Sequence, residues 1–266
     1  MQRGLNSTTI QKANRSLVIK IMLAEGPVSR VELVKKTRLR KATITNIINE
    51  FLELGIICEE GFTKVDSGRR TEAFRIDMPQ LVILSIRFTR KFYRATLYDL
   101  RGVPLAYHQD NISVDEDILI QMELVMTQID AMLAAYDKTN ILGICIALPG
   151  PYIRGKDKNT AIVTGFDNLR KIDVEKMFTK RYPFKILSEH DAKLAAFAEW
   201  KHMKMDDNVL ENSLMQIQSI GIGVGAGSVI NGRIIKGAVG VAGEIGDMGI
   251  NFNGPKSERN NQGAFE

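Results

Sequence analysis

Residues 38–55 have the sequence RLRKATITNIINEFLELG, which predicts an amphipathic helix that follows a basic turn. Apolar residues recur at steps of three and four from Ile44 to Leu52, so one face of the helix is expected to pack against other helices. Gly55 is expected to end the helix. The more exposed face carries the polar residues Lys41, Thr43, Thr45, Asn46 and Asn49.

Two further helices are predicted before this one. An apolar segment between Ile10 and Leu23 stops at Gly26-Pro27, a pair that breaks helices. A short second helix follows, and Ser29 is expected to cap its first turn. Its inward-facing residues are expected to be Val31, Leu33 and Val34.

A β-hairpin is predicted after the third helix. Two strand-like segments, 56–59 and 73–76, are joined by the turn-forming sequence DSGRR at residues 66–70. In a winged helix-turn-helix the recognition helix enters the DNA major groove and the hairpin flanks it. The sequence therefore predicts a winged helix-turn-helix DNA-binding domain over residues 1–78.

The distribution of charge supports a nucleic-acid partner for this domain. Residues 1–80 contain 14 of the 36 Lys and Arg residues and 9 of the 31 Asp and Glu residues, an excess equal to the net charge of +5 of the whole chain. A solvated helix face is the alternative explanation for basic residues. Because the fold pattern and the location of the charge agree, we expect the domain to bind double-stranded DNA through phosphate neutralisation.

Contacts to DNA can be assigned by residue type. Asn46 can pair with adenine, and the Thr43 and Thr45 hydroxyls can reach base edges near the start of the recognition helix. Arg69 and Arg70 lie at the wing, where arginine suits a narrow minor groove. The predicted contact set is Ser29, Arg38 and Arg40 on phosphates, Lys41, Thr43, Thr45 and Asn46 on the recognition helix, and Arg69 and Arg70 in the wing.

Composition places the chain among soluble globular proteins. Apolar residues make up 44% and charged residues 25% of the chain. Its length of 266 residues is enough for two domains. No apolar run approaches the roughly 18–20 residues of a membrane span, and the polar start lacks the core of a signal peptide. Cys58 and Cys145 lie in separate strand patterns, so we expect buried free thiols. Cytoplasmic localisation and a domain join near Met78-Pro79 are predicted.

Residues 79–266 have an α/β pattern. Strands are predicted at 81–86, 93–98, 103–109, 141–147, 184–187 and 214–221, and helices at 118–136, 173–182 and 191–200. The segment 141–147 is continuously apolar, as in a strand buried on both faces. It ends in Leu148-Pro149-Gly150-Pro151, and loops at the carboxyl ends of such strands commonly bind ligands.

Glycine occupies alternate positions from Gly221 to Gly227. Such a run can cradle a phosphate or can simply allow strands to approach closely. Because the Asn231-Gly232 turn makes a hairpin next, where a dinucleotide-binding motif has a helix, that motif is not expected.

Together these motifs resemble the ROK family, which includes sugar-responsive repressors and sugar kinases. The resemblance extends over nearly the whole chain. It is carried by Gly26-Pro27-Val28-Ser29-Arg30, Ser67-Gly68-Arg69-Arg70, Leu148-Pro149-Gly150-Pro151, Glu189-His190-Asp191-Ala192, the glycine run and Gly243-Glu244-Ile245-Gly246.

The resemblance implies a winged helix followed by an actin-like, ribonuclease H-like fold of the sugar-kinase type. Members with the N-terminal helices resemble repressors of sugar-uptake or sugar-catabolism operons that release DNA when a sugar binds. Two recognition helices must meet two half-sites, so a homodimer is expected. Family members continue beyond the motif at residues 257–266, and the resemblance therefore implies that the second lobe is incomplete here.

Kinase activity is not expected. Where kinases of the family carry an Asp-x-Gly-(Gly)-Thr loop for the ATP phosphates, residues 85–90 of this chain are SIRFTR. Arg87 and Phe88 stand where the backbone would approach phosphate, which sterically favours glycine. Asp191 matches the kinase general base, and without a phosphoryl donor we expect it to bind ligand or to interact with its helix dipole.

The resemblance places a sugar site at Gly150, Glu189, His190, Asp191, Glu244 and Asp247. Carboxylates that converge on hydroxyls are good sugar acceptors. His190 replaces the Asn of the family and Asp247 replaces its usual His. Asp247 cannot donate a hydrogen bond when it is ionised. Its negative charge near Glu244 is expected to raise the pKa of a carboxyl in this cluster, or to recruit a cation or a basic ligand group.

No metal and no cofactor are expected. The family binds zinc through that His and three cysteines, and here the matching positions are Asp247, Ser257, Arg259 and Ala264. None of them supplies a thiolate or imidazole ligand.

These observations predict a sequence-specific DNA-binding repressor with a sugar-sensing domain that does no chemistry. Two alternatives remain at this stage. One is an ATP-dependent sugar kinase with an accessory DNA-binding module, and the other is a degenerate paralogue that binds DNA without sensing a sugar.

Overall fold

The computed structural model describes residues 7–64, 70–163, 165–203, 213–220, 223–257 and 260–265. The chain divides into two compact units. The N-terminal unit comprises Met1–Leu81 together with Leu100–Val103, and the C-terminal unit comprises Val82–Asp99 and Pro104–Glu266. The sequence placed the division at residues 78–79 and did not predict that the short segment Leu100–Val103 belongs to the N-terminal unit.

The N-terminal unit contains three helices and a three-stranded antiparallel sheet of order β1-β3-β2. The three predicted helices and both predicted strands are present, whereas β1 was not predicted. In chain order the elements are α1 (Ser7–Glu25), β1 (Val28–Ser29), α2 (Arg30–Thr37), α3 (Lys41–Glu53), β2 (Ile57–Lys64) and β3 (Arg70–Ile76).

The core of the N-terminal unit forms where α1, α2 and α3 meet the sheet. Its buried residues include Val18, Met22, Leu33, Ile44, Ile47, Ile48, Phe51 and Phe74. The inward prediction was wrong for Val31, which is 48% exposed, because the short α2 buries only Leu33 fully. Ile10, Leu17 and Leu23 of the apolar α1 pattern are also exposed.

The C-terminal unit is built on a five-stranded sheet of order β10-β7-β4-β5-β6. Smaller sheets pair β8 with β9 and β11 with β12 and β13. The elements are β4 (Val82–Phe88), β5 (Phe92–Asp99), β6 (Pro104–Asn111), α4 (Ile118–Leu133), β7 (Ile141–Leu148), β8 (Tyr152–Arg154), β9 (Asn159–Ala161), α5 (Val174–Arg181), β10 (Lys185–His190), α6 (Asp191–Met203), β11 (Ser213–Ile220), β12 (Gly223–Ile230) and β13 (Arg233–Ile234).

Three neighbouring strands of the large sheet run parallel. β7 lies between β4 and β10 and pairs in parallel with both, whereas β5 and β6 are antiparallel. The carboxyl ends of β4, β7 and β10 therefore meet at one edge of the sheet, where Phe88, Leu148 and His190 end the strands. The apolar core includes buried residues of the sheet, α4 and α5.

The glycines of β12 allow close packing. A Cβ on Gly227 would lie 2.6 Å from the Ala192 oxygen and 2.6 Å from Ala196 Cβ, both on α6. Close approach of a strand and a helix therefore explains this glycine, in line with the second of the two interpretations left open by the sequence. Gly221 lies outside the described residues.

Both cysteines are free thiols on strands, Cys58 on β2 and Cys145 on β7. They are free as predicted, but they are half-buried and not buried as predicted. Burial raises the pKa of the Cys145 thiol, which keeps it protonated. Among the helices described, none combines the length and the apolar character needed to cross a bilayer.

Candidate functional site

The first candidate site is the exposed face of α3 and the turn before it. Four of its side chains, Arg38, Arg40, Lys41 and Asn46, are exposed, and Thr43 and Thr45 are half-buried. The opposite face is buried through Ile44, Ile47, Ile48 and Phe51. The helix therefore presents cations and hydrogen-bonding groups on the side opposite these four buried residues.

The turn between α2 and α3 has a defined backbone. Arg38 adopts a left-handed conformation with φ 57°, and its N–H donates to the Val34 carbonyl at 2.9 Å. The Leu39 N–H donates to Thr37 Oγ1 at 3.2 Å. These bonds end α2 and fix where the side chains of Arg38 and Arg40 leave the backbone.

Ser29 does not belong to this exposed face. Its residue is 0% exposed, and its Oγ accepts from the Glu32 N–H at 3.3 Å. The Glu32 carboxylate in turn accepts from the Ser29 N–H at 2.7 Å, which completes a capping box. The prediction that Ser29 contacts a DNA phosphate is therefore wrong, because its hydroxyl is buried in the cap of α2.

Arg30 is a residue that the sequence did not single out. Its guanidinium pairs with Glu72 of β3 at 2.7 Å and donates to Asn49 Oδ1 of α3 at 3.4 Å. It also lies 4.4 Å from the centre of the Phe74 ring. Arg30 thus connects α2, α3 and β3, and no spacing signal in the sequence could have predicted contacts that join three elements.

The wing residues are only partly described. Arg69 lies outside the described residues, and Arg70 is placed as the first residue of β3 by its backbone. Their predicted contacts with DNA remain predictions.

The second candidate site lies where β10 passes into α6. The strand ends at Glu189 and His190, and Asp191 opens the helix. His190 is 4% exposed and has a carboxylate near each ring nitrogen: Asp191 Oδ1 lies 3.4 Å from Nε2 and Glu244 Oε1 lies 3.6 Å from Nδ1. Four of the six predicted effector residues, Glu189, His190, Asp191 and Glu244, are therefore gathered at one place.

Arg87 reaches this cluster from the end of β4. Its Nη2 donates to Asp191 Oδ2 at 3.3 Å. The strand register aligns Arg87 with Ala147 of β7 and Ala147 with Glu189 of β10, so the three residues form a row across adjacent strands. Burial raises the pKa of the Asp191 carboxyl, and the nearby positive charge of Arg87 opposes that rise.

Three further cations surround Glu189, and the sequence predicted none of them. Lys236 Nζ lies 2.5 Å and Arg154 Nη2 lies 3.8 Å from Glu189 Oε2. Arg154 also donates to the Ser188 carbonyl at 2.7 Å. Lys193 is 0% exposed and donates to the Gly240 carbonyl, and burial lowers the pKa of its ammonium against the opposing charges of Glu189 and Glu244.

Gly150 and Asp247 have different surroundings. Gly150 has φ +70°, and a Cβ there would lie 2.1 Å from the Ile162 oxygen, so glycine is needed for the loop to close. Asp247 accepts a hydrogen bond from Asn261 Nδ2 at 3.1 Å. The roles of Gly150 and Asp247 as effector ligands remain predictions.

Residues 94–266 match the model of the ROK family. The chain belongs to the ROK family. The xylose repressor of Bacillus spizizenii is 29% identical to it in an alignment that covers 98% of this chain and 66% of the repressor. The chain thus spans slightly less than two thirds of the length of this ROK relative.

Two solved structures show the fold. A ROK family transcriptional regulator, a homologue of the Escherichia coli MLC protein, has a TM-score of 0.69 at 24% identity and covers 96% of this chain and 63% of its own. A ROK family glucokinase from Streptomyces griseus has a TM-score of 0.55 at 18% identity and covers 69% and 55%. The prediction of a ROK actin-like fold of the sugar-kinase type is therefore confirmed.

Within the described ranges, no group of three or more His, Cys, Asp or Glu side chains is arranged to hold a metal ion. Among the positions of the family zinc motif, Ser257 accepts a hydrogen bond from the Asn261 N–H at 3.2 Å, and Arg259 lies outside the described residues. The absence of a zinc site in the whole chain remains a prediction.

Proposed function

We propose that this ROK protein is a sequence-specific DNA-binding transcriptional repressor of sugar uptake or catabolism genes, relieved by a carbohydrate effector that its C-terminal unit binds without catalysis. The observation that carries the proposal is α3, whose apolar face is buried while Lys41 and Asn46 are exposed beside a basic turn. An exposed cationic helix start supplies phosphate binding, and its polar side chains supply base recognition.

The order of elements supports a winged helix-turn-helix in the N-terminal unit. Helices α2 and α3 are joined by the short turn 38–40 and are followed by the antiparallel pair β2 and β3. In this motif the second helix of the pair enters the major groove and the hairpin lies beside it. We therefore assign α3 as the recognition helix and the segment between β2 and β3 as the wing.

The DNA contacts proposed are those that the exposure of the side chains allows. Arg38 and Arg40 bind phosphates, and Lys41, Thr43, Thr45 and Asn46 face the groove, with Arg69 and Arg70 in the wing. Ser29 is left out because it is buried. Arginine and lysine contacts to phosphate give affinity without sequence information, so specificity rests on Asn46 and the threonines.

The extent of the comparisons favours a repressor over a kinase. The structural match to the transcriptional regulator covers 96% of this chain, whereas the match to the glucokinase covers 69%. The aligned relative that is named a xylose repressor covers 98% of the chain, including the N-terminal unit. Carbohydrate control of gene expression is therefore the function that the whole chain supports.

The C-terminal site supports binding without phosphoryl transfer. Glu189, Asp191 and Glu244 offer acceptor oxygens for the hydroxyls of a sugar. Asp191, which stands at the place of the kinase base, is already paired with Arg87. A general base must be able to take a proton from the substrate hydroxyl, and an arginine on its carboxylate disfavours that step.

Repression of this kind requires a dimer. Two recognition helices must reach half-sites about one helical turn apart, which a twofold-symmetric pair of subunits provides. Light scattering after gel filtration gives the mass of the protein in solution. This mass should equal twice the chain mass of 29.7 kDa. A complex that contains one protein chain for each operator duplex would contradict the dimer.

Footprinting on the promoter region next to its own gene tests the DNA-binding function. Lys41→Ala combined with Asn46→Ala should abolish specific protection. The matched control is Gln11→Ala combined with Lys20→Ala, which removes one lysine and one amide from the exposed surface of α1 and should leave protection unchanged. Specific protection that survives the α3 double variant would show that the recognition face is wrong, and indifference to all duplexes at low ionic strength would exclude the function.

A further inference from the structure

Asn49 lies on the exposed face of α3, three residues after Asn46, and both residues are exposed. Residues three apart on a helix are neighbours on its surface, so the two amides lie on the face assigned to the major groove. Asn49 differs from Asn46 in one respect. Its amide accepts a hydrogen bond from Arg30, which belongs to another helix.

Arg30 determines which end of the Asn49 amide faces outward. Its Nη2 donates to Asn49 Oδ1 at 3.4 Å. A guanidinium has five donors and no acceptor, so the amide oxygen, and not the NH2 group, must face it. The Nδ2 group is therefore turned away from Arg30, and among the described residues it donates to no protein group. Asn49 thus presents two N–H donors on the surface of α3.

Arg30 is itself held in place by β3. Its Nη1 pairs with Glu72 Oε2 at 2.7 Å, and its Cζ lies 4.4 Å from the centre of the buried Phe74 ring. The capping box of Ser29 fixes the first turn of α2, where Arg30 begins the helix. A planar guanidinium between a carboxylate and an aromatic ring has little freedom left to lose when it holds a third group. The contacts from Glu72 through Arg30 to Asn49 therefore orient the amide in the absence of DNA.

We propose that Asn49 reads a guanine in each half-site of the operator, with Arg30 and Glu72 as positioning residues. The inference rests on the proposed function, because it adds one base contact to the same recognition helix. In the major groove guanine presents two acceptors, N7 and O6, whereas adenine presents one acceptor beside a donor. An amide that is free to use its oxygen suits adenine, as expected for Asn46. An amide whose oxygen is held by Arg30 suits guanine.

Selection of bound duplexes from a random library by the full chain, followed by sequencing, tests the inference. The wild type should select guanine at one position of each half-site. Affinities for single-base variants of the selected duplex then measure the preference. Asn49→Ala should lower the preference for guanine at that position by roughly tenfold to a hundredfold and leave the other positions unchanged. Arg30→Leu should release the amide, so that guanine and adenine bind with similar affinity there.

Arg30→Leu in the Asn49→Ala background separates positioning from a general structural role. The second change should have no further effect on the base selected, because no amide remains to be oriented. Lys36→Leu is the matched control, since it removes the cation of another ion pair of α2, with Glu25 at 2.9 Å, and should leave every base preference intact. Circular dichroism gives the temperature at which each variant is folded, and all affinities are measured below it.

A selected site in which no guanine depends on Asn49 would overturn the inference. A guanine preference that survives Arg30→Leu would also overturn it, as would an equal loss of affinity for all duplexes in that variant, which would make Arg30 a phosphate ligand. In each of these cases the enriched site still supports sequence-specific binding, so only the inference fails. A library from which no sequence is enriched would refute the proposed function as well.

Discussion

Arg87 Nη2 lies 3.3 Å from Asp191 Oδ2, and this contact joins the end of β4 to the first residue of α6. The resemblance to kinases of the ROK family implies a glycine at this strand end, where the backbone would approach the phosphates. Here the same position carries a guanidinium that neutralises the carboxylate where the kinase base would act. Arg87 therefore stands against phosphoryl transfer at two places, the phosphate loop and the carboxylate, and Ser85 and Phe88 also depart from the loop of the kinases.

The first prediction is that the protein does not consume ATP. A coupled assay of ADP release with pentoses, hexoses and amino sugars should give the rate of a protein-free control. Arg87→Gly alone should stay inactive, because the bulky Phe88 is 0% exposed and still occupies the second glycine position of the loop. Sugar-dependent ADP release that disappears in Asp191→Asn would contradict this prediction and support the kinase alternative.

The second prediction concerns the pH dependence of stability. Burial raises the pKa of Asp191 above its ordinary value, so the native state binds this proton more tightly than the unfolded chain. Ionising Asp191 therefore lowers stability as pH rises from about 4 through the folded pKa, and Arg87 reduces that loss. Arg87→Leu should raise the pKa further.

Thermal unfolding at several pH values measures the effect. The melting temperature of Arg87→Leu should fall below that of the wild type by a deficit that grows between about pH 4 and pH 7. Adding Asp191→Asn should remove the pH-dependent part, since the carboxyl that Arg87 stabilises is then absent. A deficit of the same size at both ends of the range would mean that Arg87 does not act through the Asp191 charge.

Most of the regular elements could be predicted because their signals are local. The periodicity of α3 and α4, the apolar run of β7 and the Asn231-Gly232 turn each fix an element within a few residues. The strands β1, β8 and β9 escaped prediction, because two or three residues cannot show an alternating pattern. Val31 was assigned inward because the eight residues of α2 form only about two turns, too few to fix which apolar residues share a face.

The candidate site was predictable where its residues are consecutive or belong to a recognisable motif. Glu189, His190 and Asp191 follow one another, and Glu244 lies in a glycine-flanked motif. Arg154 and Lys236 reach Glu189 from separate elements, and Lys193 donates to the Gly240 carbonyl, so these contacts depend on the tertiary fold. Arg87 was noted as an obstacle to phosphate, but its pairing with Asp191 needed the register of β4 and β7.

The third prediction tests the loop after β7. Gly150→Ala combines a left-handed backbone with a Cβ that would lie 2.1 Å from the Ile162 oxygen, a backbone atom that cannot move by itself. Gly165→Ala is the control, since Gly165 has φ +71° and a Cβ there would lie 3.8 Å from Arg90 Nη1, an ordinary van der Waals contact. The control should lose about 1 kcal/mol, the cost of the conformation alone.

Denaturant unfolding of both variants separates the two effects. The Gly150 variant should lose about 3 kcal/mol or more, because strain from the close contact adds to the cost of the conformation. Equal losses in the two variants would show that the loop yields to the added methyl group. That result would also remove the steric reason for glycine at this position.

The fourth prediction concerns Ser29, whose hydroxyl is buried in the capping box with Glu32. Ser29→Ala should lower the stability of the N-terminal unit by about 1 kcal/mol, because the first turn of α2 loses its cap. At a temperature where the variant remains folded, its affinity for operator DNA should equal that of the wild type. Ser16→Ala, an exposed change within α1, is the control and should alter neither stability nor affinity by a measurable amount. A capping residue contributes to DNA binding only through the fold that it stabilises. A loss of affinity in folded Ser29→Ala would therefore show that this hydroxyl contacts the DNA phosphates after all.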